Sequence, residues 1–224
     1  MWIGIIVILV SWLIGWNLKR KFRQYSEMPI SSGMSGAEIA YRMLADYGIR
    51  NVEVMCVEGE LTDHYNPENL TVNLSPEVYY GRHAAAAAVA AHECGHAVQH
   101  ATAYSFLQFR SAVVPVVSAV SNWVGLILLA GVFLINTFPW LLLIGILMFA
   151  LTTLFSFITL PVEFDASRRA LEWIKQARIV NQAEYAMSKD ALWWAAMTYV
   201  VAALGSLATL VQYLLYYLGV RSDD

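Results

Sequence analysis

The length, composition and charge of the chain exclude an ordinary soluble globular protein and a nucleic-acid-binding protein. Of its 224 residues, 58% are hydrophobic and 14% are charged, whereas soluble domains average about 45–50% and about 25%. The formal net charge is −3, and no basic run is interleaved with aromatic residues as in a nucleic-acid groove. The two cysteines, Cys56 and Cys94, do not make the framework of a disulfide-rich domain.

Four apolar stretches predict membrane-spanning helices. The first occupies residues 1–18 and is followed at once by the basic run Lys19-Arg20-Lys21-Phe22-Arg23. Positive charge after the stretch, and not before it, indicates a retained anchor and not a signal peptide. The other stretches lie within 113–135, 140–160 and 192–220, and each is long enough to cross ~30 Å of hydrocarbon as a helix.

Basic residues between the apolar stretches predict the orientation in the membrane. They follow the first stretch and recur in segment 161–190, whereas the turn at 136–139 has no charge. Loops rich in Lys and Arg stay in the cytoplasm. We therefore expect residues 19–112 and 161–190 on the cytoplasmic side, with both termini outside.

The segment between the first two stretches predicts a small α+β domain. Ser35 and Glu38 have the spacing of a capping box and start a helix. Alternating apolar residues at 52–56 and 70–74 predict two strands. Ser75-Pro76-Glu77 is typical of a helix start, and we expect this second helix to run without a break into a histidine-containing motif.

That motif is His92-Glu93-Cys94-Gly95-His96. Histidines four residues apart lie on one face of a helix, so both imidazoles can bind one zinc ion. Glu93 beside them can take a proton from a water whose pKa zinc has lowered to roughly 7. The pattern is typical of zinc metallopeptidases. The alternative is a pair of surface histidines without a metal.

A catalytic zinc ion needs a third protein ligand. His100 continues the spacing but lies ~12 Å along the helix axis from His92, at 1.5 Å per residue, so it cannot share the ion. Glu163 is either the ligand or an ordinary acid at a helix start after Pro161. His64 is either a donor to the oxyanion of a tetrahedral intermediate or a solvent-exposed histidine in a turn.

Several separate motifs, in order along the chain, resemble those of the YugP-type bacterial membrane zinc metallopeptidases. They are Thr62-Asp63-His64-Tyr65-Asn66-Pro67, Leu74-Ser75-Pro76, residues 90–100, and Leu160-Pro161-Val162-Glu163-Phe164-Asp165-Ala166-Ser167. The resemblance covers nearly the whole chain. It implies that His92 and His96 are zinc ligands, that Glu93 is the general base, and that Glu163 is the third ligand.

The more distant HtpX-like membrane proteases are similar in having a glutamate ligand followed four residues later by an aspartate. Here that later position is Ser167, and the nearest acid is Asp165. The role of Asp165 is therefore open.

Together these features predict a mainly α, four-span helical membrane protein with a small α+β, zincin-like cytoplasmic domain. The predicted divisions are a first anchor at 1–18, the zincin-like domain at 19–112, a transmembrane hairpin at 113–160, a cytoplasmic segment with the third ligand at 161–190, and a last transmembrane helix and tail at 191–224. We expect one catalytic zinc ion and a location in the bacterial cytoplasmic membrane.

The expected substrate is a peptide or a membrane protein near the lipid bilayer, with its extended backbone added to the edge of the 70–74 strand. Two other functions compete with a peptidase at the membrane face. An intramembrane protease would need the motif helix in the bilayer, but Arg82, His83 and His100 bracket a run too short to span it. A non-catalytic, zinc-stabilised membrane scaffold would not need Glu93.

Overall fold

The computed structural model describes residues 2–222, and the side chains of residues 4–219. Its elements, in chain order, are α1 Trp2–Ser26, α2 Gly36–Asp46, β1 Glu53–Cys56, β2 His64–Asn66, β3 Thr71–Leu74, α3 Pro76–Tyr80, α4 Ala84–Ala101, α5 Ser105–Phe133, α6 Pro139–Gln176 and α7 Gln182–Ser222. The chain is therefore mainly helical, with one small sheet. It divides into two compact units: residues up to 12, 108–160 and from 198 onward form one, and residues 13–107 and 161–197 form the other.

The first unit consists of the apolar parts of long helices. Three described helices, α5, α6 and α7, are long and apolar enough to cross a membrane. The core of this unit is small and includes Leu128, Leu142 and Tyr217. Large apolar side chains such as Phe133 and Leu147 are exposed. An apolar surface of this extent is typical of contact with lipid.

The prediction of four spans is wrong for the part of the chain that the structure describes, because α1 is not among the qualifying helices. Its apolar part, residues 2–18, is about 25 Å long at 1.5 Å per residue, which is shorter than ~30 Å of hydrocarbon. The same helix continues into the basic run and ends at Ser26. The helical turns that carry this basic run are charged, so they do not lengthen the apolar part that could lie in hydrocarbon.

The second unit contains the sheet and the short helices. The predicted capping box of α2 is confirmed: the Ser35 hydroxyl accepts from the Glu38 backbone N–H, and the Glu38 carboxylate accepts from the Ser35 backbone N–H. The helix buries Ile39 and Met43 against α4. The alanine-rich first half of α4, 84–91, is itself buried, so this helix lies in the core of the unit.

The sheet has the order β1-β3-β2. The predicted strands at 52–56 and 70–74 are confirmed as β1 and β3, which pair in parallel. However, β3 is the central strand, since β2 pairs with it on the other side in antiparallel register, His64 opposite Asn73. The expectation that 70–74 offers a free edge to a substrate is therefore wrong. The free edges belong to β1 and β2.

The single helix predicted from Ser75 into the motif is in fact two helices. α3 ends before Gly81, and α4 begins at Ala84 with His83 as its N-cap. Glycine is unfavourable inside a helix, so Gly81 favours the end of α3. The His83 ring accepts a hydrogen bond from the backbone N–H of Ala86 at 3.1 Å. A side chain at the cap position thus starts a new helix.

Candidate metal centre

The structure brings His92 and His96 of α4 together with Glu163 of α6. The Glu163 Oε2 atom lies 3.4 Å from His92 Nε2 and 3.6 Å from His96 Nε2. One ligand atom from each of the three residues lies within 4.8 Å of the others. His96 and Glu163 are buried, and His92 is partly buried.

These distances fit a zinc ion. Zinc binds imidazole nitrogen and carboxylate oxygen at about 2.0–2.2 Å in a tetrahedron, so neighbouring ligand atoms lie about 3.3–3.6 Å apart. The two nitrogen-to-oxygen distances here have that spacing. Two imidazoles and one carboxylate are also a ligand set of catalytic zinc, which keeps a fourth position for water or substrate.

A glycine allows the two helices to come close enough for these contacts. A Cβ atom on Gly95 would lie 2.6 Å from the backbone oxygen of Ala166, which is too close for any larger residue. The close approach falls between His92 and His96 on α4 and three residues after Glu163 on α6. Because α6 continues through Pro161, Glu163 lies inside a helix, so the reading of it as an acid at a helix start does not hold.

His96 is held by a chain of buried polar groups. Its Nδ1 atom lies 3.0 Å from Gln99 Oε1, and the Gln99 Nε2 atom donates to the Val162 backbone oxygen at 2.8 Å and to Asp165 Oδ2 at 2.9 Å. Both partners of Nε2 can only accept, so the oxygen of the amide must face the histidine. The proton of His96 is therefore on Nδ1, and the lone pair of Nε2 faces Glu163.

Asp165 is the last acceptor in this series of hydrogen bonds and is itself bonded to two arginines. Besides Gln99, its carboxylate accepts from Arg169 Nε at 2.5 Å and from Arg168. Asp165, whose role the sequence left open, therefore contacts His96 through Gln99. Partners of this kind fix the orientation of a histidine ligand and raise its basicity.

The electrostatics at His96 favour a bound cation. Burial alone lowers the pKa of His96, but hydrogen bonding and attraction to the Glu163 carboxylate outweigh burial and raise this pKa overall. The negative charge that favours a proton on the ring equally favours a metal ion between the imidazoles and the carboxylate.

His92 has a simpler partner. Its Nδ1 atom lies 3.1 Å from the hydroxyl of Ser167, one helical turn beyond Glu163 on α6. A hydroxyl can accept the Nδ1 proton, which leaves the Nε2 lone pair toward the ligand group. Ser167 thus occupies the position at which the HtpX-like proteins have an aspartate, and it contacts the other histidine.

Glu93 is buried on α4 and is held by the sheet. Its Oε2 atom accepts the backbone N–H of Tyr65, in the edge strand β2, at 2.9 Å. The Tyr65 hydroxyl lies 2.7 Å from His100 Nδ1. One residue of β2 therefore bridges the carboxylate beside the ligands and a histidine two turns further along α4.

His64 is not brought into this group. Its Nδ1 atom lies 2.7 Å from the Thr62 backbone oxygen, which only accepts, and its Nε2 atom lies 3.3 Å from the Asn73 amide nitrogen. Both ring nitrogens thus have hydrogen-bond partners, one before β2 and one in β3. In this arrangement His64 has no donor left for an oxyanion, and the sequence pattern could not have revealed these contacts.

Two further residues of the motif helix lie outside the ligand group. His100 is exposed and contacts Tyr65. Cys94 is fully buried against the Ala40 backbone oxygen, and burial raises the pKa of its thiol. Cys94 is not among the three residues whose ligand atoms converge.

Sequence reasoning missed Gln99, the contact of Ser167 with His92, and the backbone contact of Tyr65 with Glu93. Two of them carry a local signal: Gln99 follows His96 by three residues and Ser167 follows Glu163 by four, so each lies on the same helix face as a ligand. Tyr65 carries none, because its contact with Glu93 is made by backbone.

Two imidazoles and a carboxylate that converge, with a second buried carboxylate on the motif helix, have the arrangement found in zinc-dependent hydrolase sites. The chain belongs to the family described as "Putative neutral zinc metallopeptidase", whose model matches residues 1–218. It is 40% identical over 217 residues to "Putative membrane protease YugP" of Bacillus subtilis (strain 168), an alignment that covers 96% of this chain and 95% of that one. No solved structure matches the chain. The resemblance to YugP-type proteins is thereby confirmed.

Proposed function

We propose that this protein is a zinc-dependent endopeptidase of the membrane. His92, His96 and Glu163 would hold one catalytic zinc ion, and Glu93 would be the general base. The observation that carries the proposal is the convergence of three ligand atoms next to a buried carboxylate that the β2 backbone holds in place. Membership of a zinc metallopeptidase family supports it.

The residues of the site divide the work of peptide hydrolysis. Zinc, when bound, is a Lewis acid that lowers the pKa of water and polarises a carbonyl group. The Tyr65 N–H occupies Oε2 of Glu93, which leaves Oε1 to accept a proton from the attacking water. The water oxygen bonds to the peptide carbonyl carbon, the C–N bond breaks, and the proton passes from Glu93 to the leaving nitrogen.

The edge of β2 is the best place for the substrate backbone. Extended peptides commonly add a strand to the free edge of a sheet, and β2 is the edge strand that contacts Glu93. We therefore move the proposed substrate edge from 70–74 to His64–Asn66. A peptide there would pass the carboxylate that activates water, and it would use backbone groups other than the Tyr65 N–H, which already donates to Glu93.

The substrates we propose are membrane proteins or tails close to the bilayer. Glu163 follows the apolar stretch 140–160 by only three residues, and the basic residues of 161–190 favour the cytoplasmic side of a bacterial cytoplasmic membrane. With three spans and the 19–112 segment in the cytoplasm, the amino terminus would lie in the cytoplasm too, and the carboxyl terminus outside.

Burial of α4 favours a site at the membrane face over an intramembrane one. Residues 84–91 and 93–99 are buried within their own unit, and α4 is not among the helices apolar enough to cross a membrane. A helix covered by protein on most sides does not offer its ligands to lipid.

The test compares wild type with Glu93→Gln and with Glu172→Gln, which changes an exposed glutamate. Zinc content is measured on the purified proteins, and cleavage products are identified by proteomics of cells expressing each. We expect full zinc in all three, and at least about 100-fold slower cleavage only in Glu93→Gln, since general-base catalysis contributes about 10²–10⁴-fold.

Unchanged cleavage products in Glu93→Gln would favour the non-catalytic scaffold instead. Equal cleavage of soluble and membrane-linked peptides by the wild type would contradict the proposed substrate class while leaving the peptidase itself intact.

A further inference from the structure

We propose that a groove between α6 and α7 is a binding site for an anionic phospholipid. It is a cavity of about 280 Å³ whose defining residues are Phe164, Arg168, Lys189, Leu192, Trp193 and Ala196. All of them belong to one compact unit. The proposal does not depend on the catalytic role of the metal centre.

The charged residues that line the groove, which we call its rim, are Arg168, Lys189 and Glu172, and their formal charges sum to +1. Arg168 supplies one charge and shares it with Asp165 and Glu172. Lys189 supplies another, is exposed, and makes no ion pair among the described residues. A phosphate group forms strong charge-assisted hydrogen bonds and would give Lys189 an anionic partner.

The floor of the groove is apolar. Leu192 and Ala196 are buried, Phe164 is 39% exposed and Trp193 is 53% exposed. An exposed indole next to aliphatic side chains is poorly placed in water but is typical of the membrane interface. A phosphate on the rim and an acyl chain on the floor would satisfy both halves, which a free phosphate would not. A zwitterionic lipid brings its own cation, so it would leave the charge of Lys189 without net compensation.

The groove lies where both helices change from apolar to charged. Phe164 is one turn beyond the apolar stretch that ends at Leu160, and Lys189 comes just before the apolar run that starts at Ala191. Basic pockets between transmembrane helices on the cytoplasmic side bind acidic headgroups. Ser167 also lines the groove, so a bound lipid would lie beside the residue that contacts His92.

Native mass spectrometry of the full-length protein in a neutral detergent tests the proposal. The protein is titrated with phosphatidylglycerol and with phosphatidylcholine of the same acyl chains. We expect about tenfold tighter binding of phosphatidylglycerol to the wild type, and about fivefold loss of that preference in Lys189→Gln. The matched control is Lys19→Gln, an exposed lysine of the basic run within α1, which should keep the preference.

Three outcomes would overturn the proposal. Equal binding of the two lipids would remove the charge recognition. An equal loss in Lys19→Gln and Lys189→Gln would show attraction to any basic surface. Displacement of phosphatidylglycerol by an acidic peptide or by millimolar inorganic phosphate would assign the rim to another anion.

Discussion

The two histidines of the candidate metal centre are held in different ways. On one flank, His96 contacts Gln99, which contacts Asp165, which in turn is bonded to Arg168 and Arg169. On the other flank, His92 has a single hydroxyl partner, from Ser167. Both flanks use α6, which also carries Glu163.

The difference indicates that the fold orients the His96 ring more firmly than the His92 ring. A chain that ends in a carboxylate and two guanidinium groups fixes the ring orientation of His96 and makes it the stronger donor. A lone hydroxyl fixes the proton position of His92 but adds no charge. We therefore expect zinc affinity to depend more on the His96 flank than on the His92 flank.

Removing the ligand that both flanks share should have the largest effect. Glu163→Ala should lower zinc affinity by more than about 100-fold, which exceeds the usual effect of losing an outer partner. Titration against a competing chelator measures it. Glu172→Ala, which removes an exposed carboxylate of the same helix, is the control, and an equal loss in both variants would argue that Glu163 is not a ligand.

A substitution that forces α4 and α6 apart should have the second largest effect. Gly95→Ala would place a Cβ atom 2.6 Å from the Ala166 oxygen, so it should destabilise the fold by about 1–3 kcal/mol. Without that clash, glycine to alanine in a helix is favourable by about 1 kcal/mol. Thermal unfolding in detergent checks the sign. Gly125→Ala, with nothing within 4 Å, should not destabilise, and a stabilised Gly95→Ala would contradict the close approach.

Breaking the His96 flank alone should come next. Gln99→Leu leaves the Nδ1 proton of His96 without its partner and removes the link from His96 to Asp165, and zinc affinity should fall about 10–100-fold. The same chelator titration applies. Thr102→Ala, whose hydroxyl bonds only to backbone oxygens of its own helix, should bind zinc like the wild type.

Breaking the His92 flank should have the smallest effect. Ser167→Ala should lower zinc affinity by less than about tenfold, the lower end of the usual range for an outer partner. Ser167→Thr keeps the hydroxyl and should restore the affinity. If Ser167→Ala costs more than Gln99→Leu, the proposed inequality of the two flanks is reversed.

Local features of the fold could be predicted from the sequence because short-range chemistry decides them. The capping box at Ser35, the strands around 54 and 72, and the shared face of His92 and His96 each depend on residues within a turn of one another. Glu163 is distant in sequence from His92 and His96, and residue chemistry alone left open whether it is the third ligand. It took the resemblance to related proteins to favour Glu163.

Features decided by distant contacts could not be predicted. β2 is a strand because β3 offers it backbone partners, although Asn66-Pro67 reads as a turn. The break before α4 depends on how the His83 ring caps a helix. The length of α1 was misjudged because apolar and charged turns share one helix. Gln99 and Asp165 meet only once α4 and α6 are packed.

Zinc K-edge X-ray absorption of the purified wild type tests the central claim most directly. We expect one zinc ion per chain, with two imidazoles and carboxylate or water oxygens at about 2.0–2.2 Å. Sulfur at about 2.3 Å would place Cys94 or Cys56 in the site. That result, or a spectrum unchanged by Glu163→Ala, would contradict the assignment of His92, His96 and Glu163.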